Sequence, residues 1–120
     1  MSTTFEKYGG FKTVSRVVLT FYEKVLDSDV VGHHFDEIDM ARQMDHQTKF
    51  ISSIMGGPSA MSDERLAVVH HKIDITVEEF GEVCQLLAEA MREHGMEEDD
   101  VVGISRIIAE KRGLILRPGL

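Results

Sequence analysis

The chain has 120 residues, of which 42% are hydrophobic and 28% charged, enough for one ordered domain with a core of its own and too few for two. Acidic side chains outnumber basic ones 21 to 13, the net charge is −8, and no basic run is longer than Lys111–Arg112, which excludes a nucleic-acid footprint. The single cysteine, Cys84, excludes an intrachain disulfide, MSTTFEKYGG has no apolar signal-peptide core, and no apolar run approaches the ~20 residues of a membrane span. A small cytoplasmic protein that engages neither membrane nor nucleic acid is the expectation.

Phe5 and Tyr8 can pack as one turn of helix before Gly9–Gly10 interrupts the chain. From Phe11 to Leu26 the apolar positions Val14, Val17, Val18, Phe21, Tyr22 and Leu26 recur at helical spacing. Asp27, Ser28 and Asp29 form a turn able to cap a short helix through His34. Asp39 then reads as the N-cap of a central helix beginning at Met40, which Gly56–Gly57–Pro58 ends, glycine by taking a left-handed cap and proline by forbidding continuation. Leu66 to Ile73 reads as two turns of helix. Thr76 with Glu79 is a capping box opening a helix to about His94, with Val77, Phe80, Val83, Cys84, Leu87 and Met91 on one face and Gly95 as its stop. A last helix, Glu97 to Arg112, carries Val101, Ile104 and Ile108. No segment reads as a strand, so residues 1–120 form a single all-α domain, either a bundle or another helical packing.

The central helix holds the anomaly. At about 100° per residue, Met40, Met44, Phe50, Ile51 and Ile54 fall on one side and Arg42, Asp45, Thr48, Lys49 and Ser52 on the other. Gln43 and Gln47 nevertheless lie inside the apolar stripe, with His46 at its edge. A buried amide without a partner costs about 1–3 kcal/mol, so both need something to bond: a polar ligand in a cavity, water, or neighbouring backbone. The six histidines, at 33, 34, 46, 70, 71 and 94, match no zinc spacing, and no phosphate-binding glycine loop occurs. A flat cofactor held between helices would want one imidazole below it, a polar set above it and apolar walls otherwise.

Phe21–Tyr22 ahead of Val25–Leu26, then Phe35, the run from Asp39 through Gln43 to Gln47 and Phe50, Gly56–Gly57–Pro58, and VHHKIDITVEEF from Val69 to Phe80 resemble the group I truncated haemoglobins. The resemblance spans about Phe5 to Gly113, and the Gln43, His46, Gln47 pattern is that of the cyanobacterial branch. It implies a two-over-two helical sandwich, helices B and E crossing G and H, with haem b held non-covalently between E and a short F segment. His70 matches the proximal iron ligand, with its neighbour His71 as the competing register. Tyr22, Gln43 and Gln47 match the distal groups that hydrogen-bond a gaseous ligand. Phe35 and Phe50 match apolar contacts of the haem, and Arg42 and Lys72 are candidates to pair with its propionates. His46 matches a histidine that swings in as a second, displaceable iron ligand; the bland alternative is a solvated histidine near a propionate.

The function so implied is binding of O₂, NO or CO by a monomer. Three distal donors slow oxygen release, which argues against simple delivery. They suit NO dioxygenation or defence against reactive nitrogen and oxygen species, peroxidase-like activity included, with a reductase partner to return the iron to its ferrous state. A haem-based gas or redox sensor, or an electron-transfer module, is the alternative from another class, and a helical interaction domain without haem is a third. Two departures from the family stand out: Met61 occupies a position where many relatives carry tyrosine, and no histidine follows Ala109, so a covalent haem crosslink from the last helix is not expected.

Overall fold

The computed structural model describes residues 3–35, 39–57 and 76–110. The helix expected over Leu66–Ile73, with Met61, His70, His71 and Lys72, lies outside the described residues. Helix α1 is a single turn, Thr4–Lys7, whose N-cap Thr3 accepts a hydrogen bond from the Glu6 N–H. Helix α2, Phe11–Asp27, buries Val14, Val17, Val18, Phe21, Tyr22 and Val25. Leu26, expected on that face, is half exposed, and Val25 takes the core position. The geometry explains the exchange: Val25 lies seven residues from Val18 and four from Phe21, on their stripe, whereas Leu26 is rotated a further ~100° away from it. Ser28 accepts from the Val30 and Val31 N–H groups, and a 3₁₀ turn, Gly32–Phe35, follows.

Helix α3, Met40–Ile54, starts where Asp39 accepts from the Arg42 N–H and stops at Gly56, whose φ of +88° is a conformation glycine adopts without strain. Helix α4, Val77–Glu93, opens on the complete Thr76–Glu79 capping box and ends at the cap His94 and Gly95. Val77 belongs to the first turn and is 55% exposed, so the core face of α4 begins at Phe80. Helix α5, Glu98–Glu110, buries Val101, Ile104 and Ile108 and places Glu98, Asp99 and Asp100 at its positive end.

Helix α2 is the centre of the assembly, packing against both α3 and α4, while α4 packs against α5. Thr20 and His94 bond at 2.8 Å, and Lys24 pairs with Glu93, tying α2 to the end of α4. No strand occurs among the described residues, and no described helix is long and apolar enough to cross a membrane.

One element departs from what helical periodicity implies. Ser52, assigned to the polar side of α3, is fully buried, because α1 folds over the end of that helix. The Phe5 N–H donates to the Met55 carbonyl at 2.9 Å, and the Phe5 ring lies so close to Gly57 that a Cβ there would stand 2.8 Å from Phe5 Cδ1 and 2.9 Å from the Ser52 carbonyl oxygen. Two glycine substitutions should therefore have opposite signs. Gly57→Ala forces Phe5 or the backbone to move and should destabilise by about 1–3 kcal/mol. Gly81→Ala, inside α4 with open space around it, should stabilise by about 0.5–1 kcal/mol. Urea unfolding of the two variants checks both signs.

Candidate functional site

A cavity with an empty volume of about 630 Å³, part of it open to solvent, lies between α2, α3, α4 and α5. Its walls are apolar: Val18 and Phe21 from α2, Phe35 from the 3₁₀ turn, Phe50 and Ile51 from α3, Phe80, Val83 and Leu87 from α4, and Ile108 from α5. Tyr22, Gln43, Gln47 and the Cys84 thiol are the polar groups in the lining. Its character is that of a small-molecule pocket, largely apolar with a few convergent polar groups to orient an occupant.

The polar groups are built into the site by helix geometry. Gln43 and Gln47 stand one turn apart on α3, both buried, and face Tyr22 across the α2–α3 contact. The Gln43 Nε2 donates to the Tyr22 hydroxyl at 3.2 Å, and Gln47 bonds the same hydroxyl. Tyr22 is 2% exposed and held edge-on by Phe21 and Phe35, with ring centroids 4.8 and 5.7 Å away. With the Gln43 amide donating to its oxygen, the phenol keeps its own O–H proton to offer to an acceptor. Burial raises the Tyr22 hydroxyl well above the ordinary tyrosine value, and the bonds from Gln43 and Gln47 oppose that only in part, so it is a neutral donor throughout the physiological range. Burial likewise pushes the Cys84 thiol up, keeping it protonated.

The residues singled out in the sequence thus divide. Tyr22, Phe35, Gln43, Gln47 and Phe50 come together around one cavity. His46 is half-buried on α3 and is not part of the lining, and Arg42 is exposed on the same helix. Of the lining residues that periodicity assigned to the helix cores, Phe80, Val83, Cys84 and Leu87 prove to be cavity wall. A stripe at helical spacing carries no signal that separates a wall from a filled core. Among the described residues, no three His, Cys, Asp or Glu side chains gather to hold a metal ion. The donor set fits a flat apolar cofactor with a small polar ligand on the α3 side, since Tyr22, Gln43 and Gln47 gather at the α2–α3 edge and the α4 wall adds only the Cys84 thiol.

Comparison with known proteins agrees with that geometry. Residues 3–115 match the family model for bacterial-like globins. A group 1 truncated haemoglobin of Synechocystis sp. is 32% identical over 96% of this chain and 98% of its own. One of Tetrahymena thermophila is 29% identical, covering 92% and 91% respectively. Among solved structures, the truncated haemoglobin of Tetrahymena pyriformis in its Fe(III) form superposes with a TM-score of 0.85 at 28% identity, over 97% of this chain and 99% of that one. The two-over-two haemoglobin of a Synechococcus species, in the cyanomet state with covalently attached haem, superposes at 0.86 with 26% identity, over 96% and 98%. The pairing of α2 and α3 with α4 and α5 is the two-over-two sandwich, and the chain belongs to the bacterial-like globin family, as a group I truncated haemoglobin.

Proposed function

We propose that this globin binds haem b non-covalently and uses Tyr22, Gln43 and Gln47 to hold a diatomic ligand for reaction with nitric oxide or other reactive nitrogen and oxygen species, rather than for release. The observation that carries the reading is a hydrogen-bonded phenol and two amides buried at one edge of an apolar chamber. A haem bound there would supply gas binding and the redox chemistry that turns dioxygen and NO into nitrate, the ferrous iron being oxidised to ferric in each turnover. The chain's own part is to orient, to donate and to exclude water. The Tyr22 O–H, with Gln43 donating to its oxygen, would donate to a gas ligand bound beside it, and the apolar walls would limit competing water. Donors aimed at a ligand that carries partial negative charge strengthen its retention, which favours consumption in place over delivery.

His70 is the proposed proximal ligand, Phe35 and Phe50 apolar contacts of the macrocycle, and Arg42 and Lys72 partners of the propionates. With no histidine after His94, the chain has no imidazole in its last helix to crosslink the cofactor. A spacing shared with a relative supports the distal assignment. The Tetrahymena pyriformis protein has been crystallised with one Tyr→Phe and two separate Gln→Glu substitutions, at positions spaced along its chain as Tyr22, Gln43 and Gln47 are along this one. A reductase returning the iron to its ferrous state completes the cycle, and the proposed setting is a cytoplasmic monomer.

A second reading turns on His46. It shares α3 with both glutamines and is half-buried, and the resemblance matches it to a displaceable iron ligand that a shift of α3 would have to bring in. Its displacement by a gas would be the signal of a sensor, or a redox-linked step of an electron-transfer module.

Three measurements test these roles. Tyr22→Phe should speed O₂ dissociation about fivefold to thirtyfold, the worth of one charge-assisted or strong neutral hydrogen bond, while leaving CO dissociation nearly unchanged; equal rates would remove Tyr22 from the mechanism. Absorbance of the ferric and ferrous protein should be low-spin and turn high-spin in His46→Ala, whereas a high-spin wild type excludes internal ligation. Alkaline titration supplies the third. Both tyrosines, Tyr8 and Tyr22, have hydroxyls raised by burial, so the native protein keeps protons that the unfolded chain releases above pH ~10. Stability should therefore fall as pH rises past that point, and tyrosinate absorbance should appear together with unfolding. Ionisation of Tyr22 in an intact fold would contradict its buried role.

A further inference from the structure

Helix α1 is too short to stand alone, since one turn of helix does not repay its nucleation. Both of its flanks are nonetheless fastened, and to different parts of the molecule. At one side, Phe5 N–H caps the Met55 carbonyl, Phe5 covers Gly57, and the Thr3 side chain stands where a Cβ on Gly56 would meet it at 3.0 Å. At the other, the Tyr8 hydroxyl donates to Asp100 and accepts from the Glu97 N–H at 2.9 Å, while Lys7 reaches Asp100 at 2.8 Å and Glu97 at 3.1 Å. The turn therefore spans from the end of α3 to the start of α5, the Tyr8–Asp100 bond alone joining residues 92 apart in the chain.

What it fastens is the helix that carries Gln43 and Gln47. Helix α3 packs principally on α2, and Gln43, Gln47, Phe50 and Ile51 of its other face line the cavity. Its far end is held by α1, over a buried Ser52 hydroxyl that has no hydrogen-bond partner among the described residues and would gain water if α1 lifted. A regular helix transmits displacement of one end along its length, so slack at Met55 reaches the glutamines two to three turns away.

We propose that α1 is a strap that positions the distal helix, and that Tyr8, by clasping it to the start of α5, is a positioning residue for Gln43 and Gln47. None of the residues that Tyr8 hydrogen-bonds lines the cavity, so its effect on ligand chemistry is indirect, through α3 or through α5, which carries Ile108, and exchange across Gln47–Met55 tells the two routes apart. The proposal rests on the distal role of those glutamines for its functional consequence, but not for its mechanical one. Asp100→Asn keeps an acceptor for the Tyr8 hydroxyl and loses only an exposed ion pair with Lys7, a kind of pair that contributes little, so it serves as the conservative variant.

The test compares Tyr8→Phe, Asp100→Asn and Ala90→Gly in the haem-loaded protein, the last placing a helix-weakening glycine in α4, away from strap and cavity. Amide hydrogen exchange across Gln47–Met55 and O₂ and CO dissociation rates are the readouts. Tyr8→Phe should raise exchange in that segment about threefold to tenfold over its effect on α4 and speed O₂ dissociation in the same direction, with CO dissociation unchanged. Asp100→Asn should stay near wild type, and Ala90→Gly should leave O₂ dissociation unaltered. Exchange in α3 that does not exceed the change in α4 for Tyr8→Phe would overturn the strap. If Tyr22→Phe itself fails to alter O₂ dissociation, the donor reading is what has failed, and exchange alone then decides for or against the strap.

Discussion

The bond from the Gln43 amide to the Tyr22 hydroxyl is the constraint on which the rest depends. Three polar side chains in an apolar chamber would each cost desolvation energy without a partner. Gln43 and Gln47 meet the Tyr22 hydroxyl across the α2–α3 contact, and the Gln43 bond leaves the O–H free to donate. The aromatic cage of Phe21 and Phe35 fixes the ring that carries it. The capped ends of α3 fix the register that brings Gln43 and Gln47 to one hydroxyl rather than to solvent. Shift α3 by one residue and both amides rotate off the site by ~100°.

This arrangement also explains why one side of the cavity is polar and the others are not. Helices α4 and α5 contribute only apolar side chains and one protonated thiol, so any group bound there feels donors from one direction. In a low-dielectric chamber those donors act more strongly than they would in water. On the proposed function, a gas ligand with charge on its outer atom would be distinguished from one without it, which is the basis for contrasting O₂ with CO.

How much of this could be read from the sequence follows the range of the interactions. Asp39, Thr76 with Glu79, Gly56 and Gly95 act within four residues of themselves, and their roles as caps and stops are what the structure contains. Buried Gln43 and Gln47 also stood out, because an amide in an apolar stripe breaks a local rule. Ser52, Leu26 and Val77 were misplaced for different reasons. The burial of Ser52 depends on α1 folding over from the start of the chain, which no helical period encodes, whereas Leu26 and Val77 sit at helix ends where the stripe drifts or has not begun. The clasp of Tyr8 on Asp100 joins residues 92 apart and leaves no local trace. Nor does periodicity tell that Phe80, Val83 and Leu87 wall a cavity instead of filling a core. Placement of His70, the proposed fifth ligand, rests on resemblance alone, as it lies outside the described residues.

The central claim is that Tyr22 and Gln43 act on the bound gas as one unit, the amide orienting the phenol. The most direct measurement is a double-mutant cycle on O₂ dissociation using Tyr22→Phe, Gln43→Leu and the pair together. The account predicts that the acceleration in the double variant falls well short of the product of the two single accelerations, because removing either partner already disables the other. Accelerations that multiply would mean two independent donors and would contradict it.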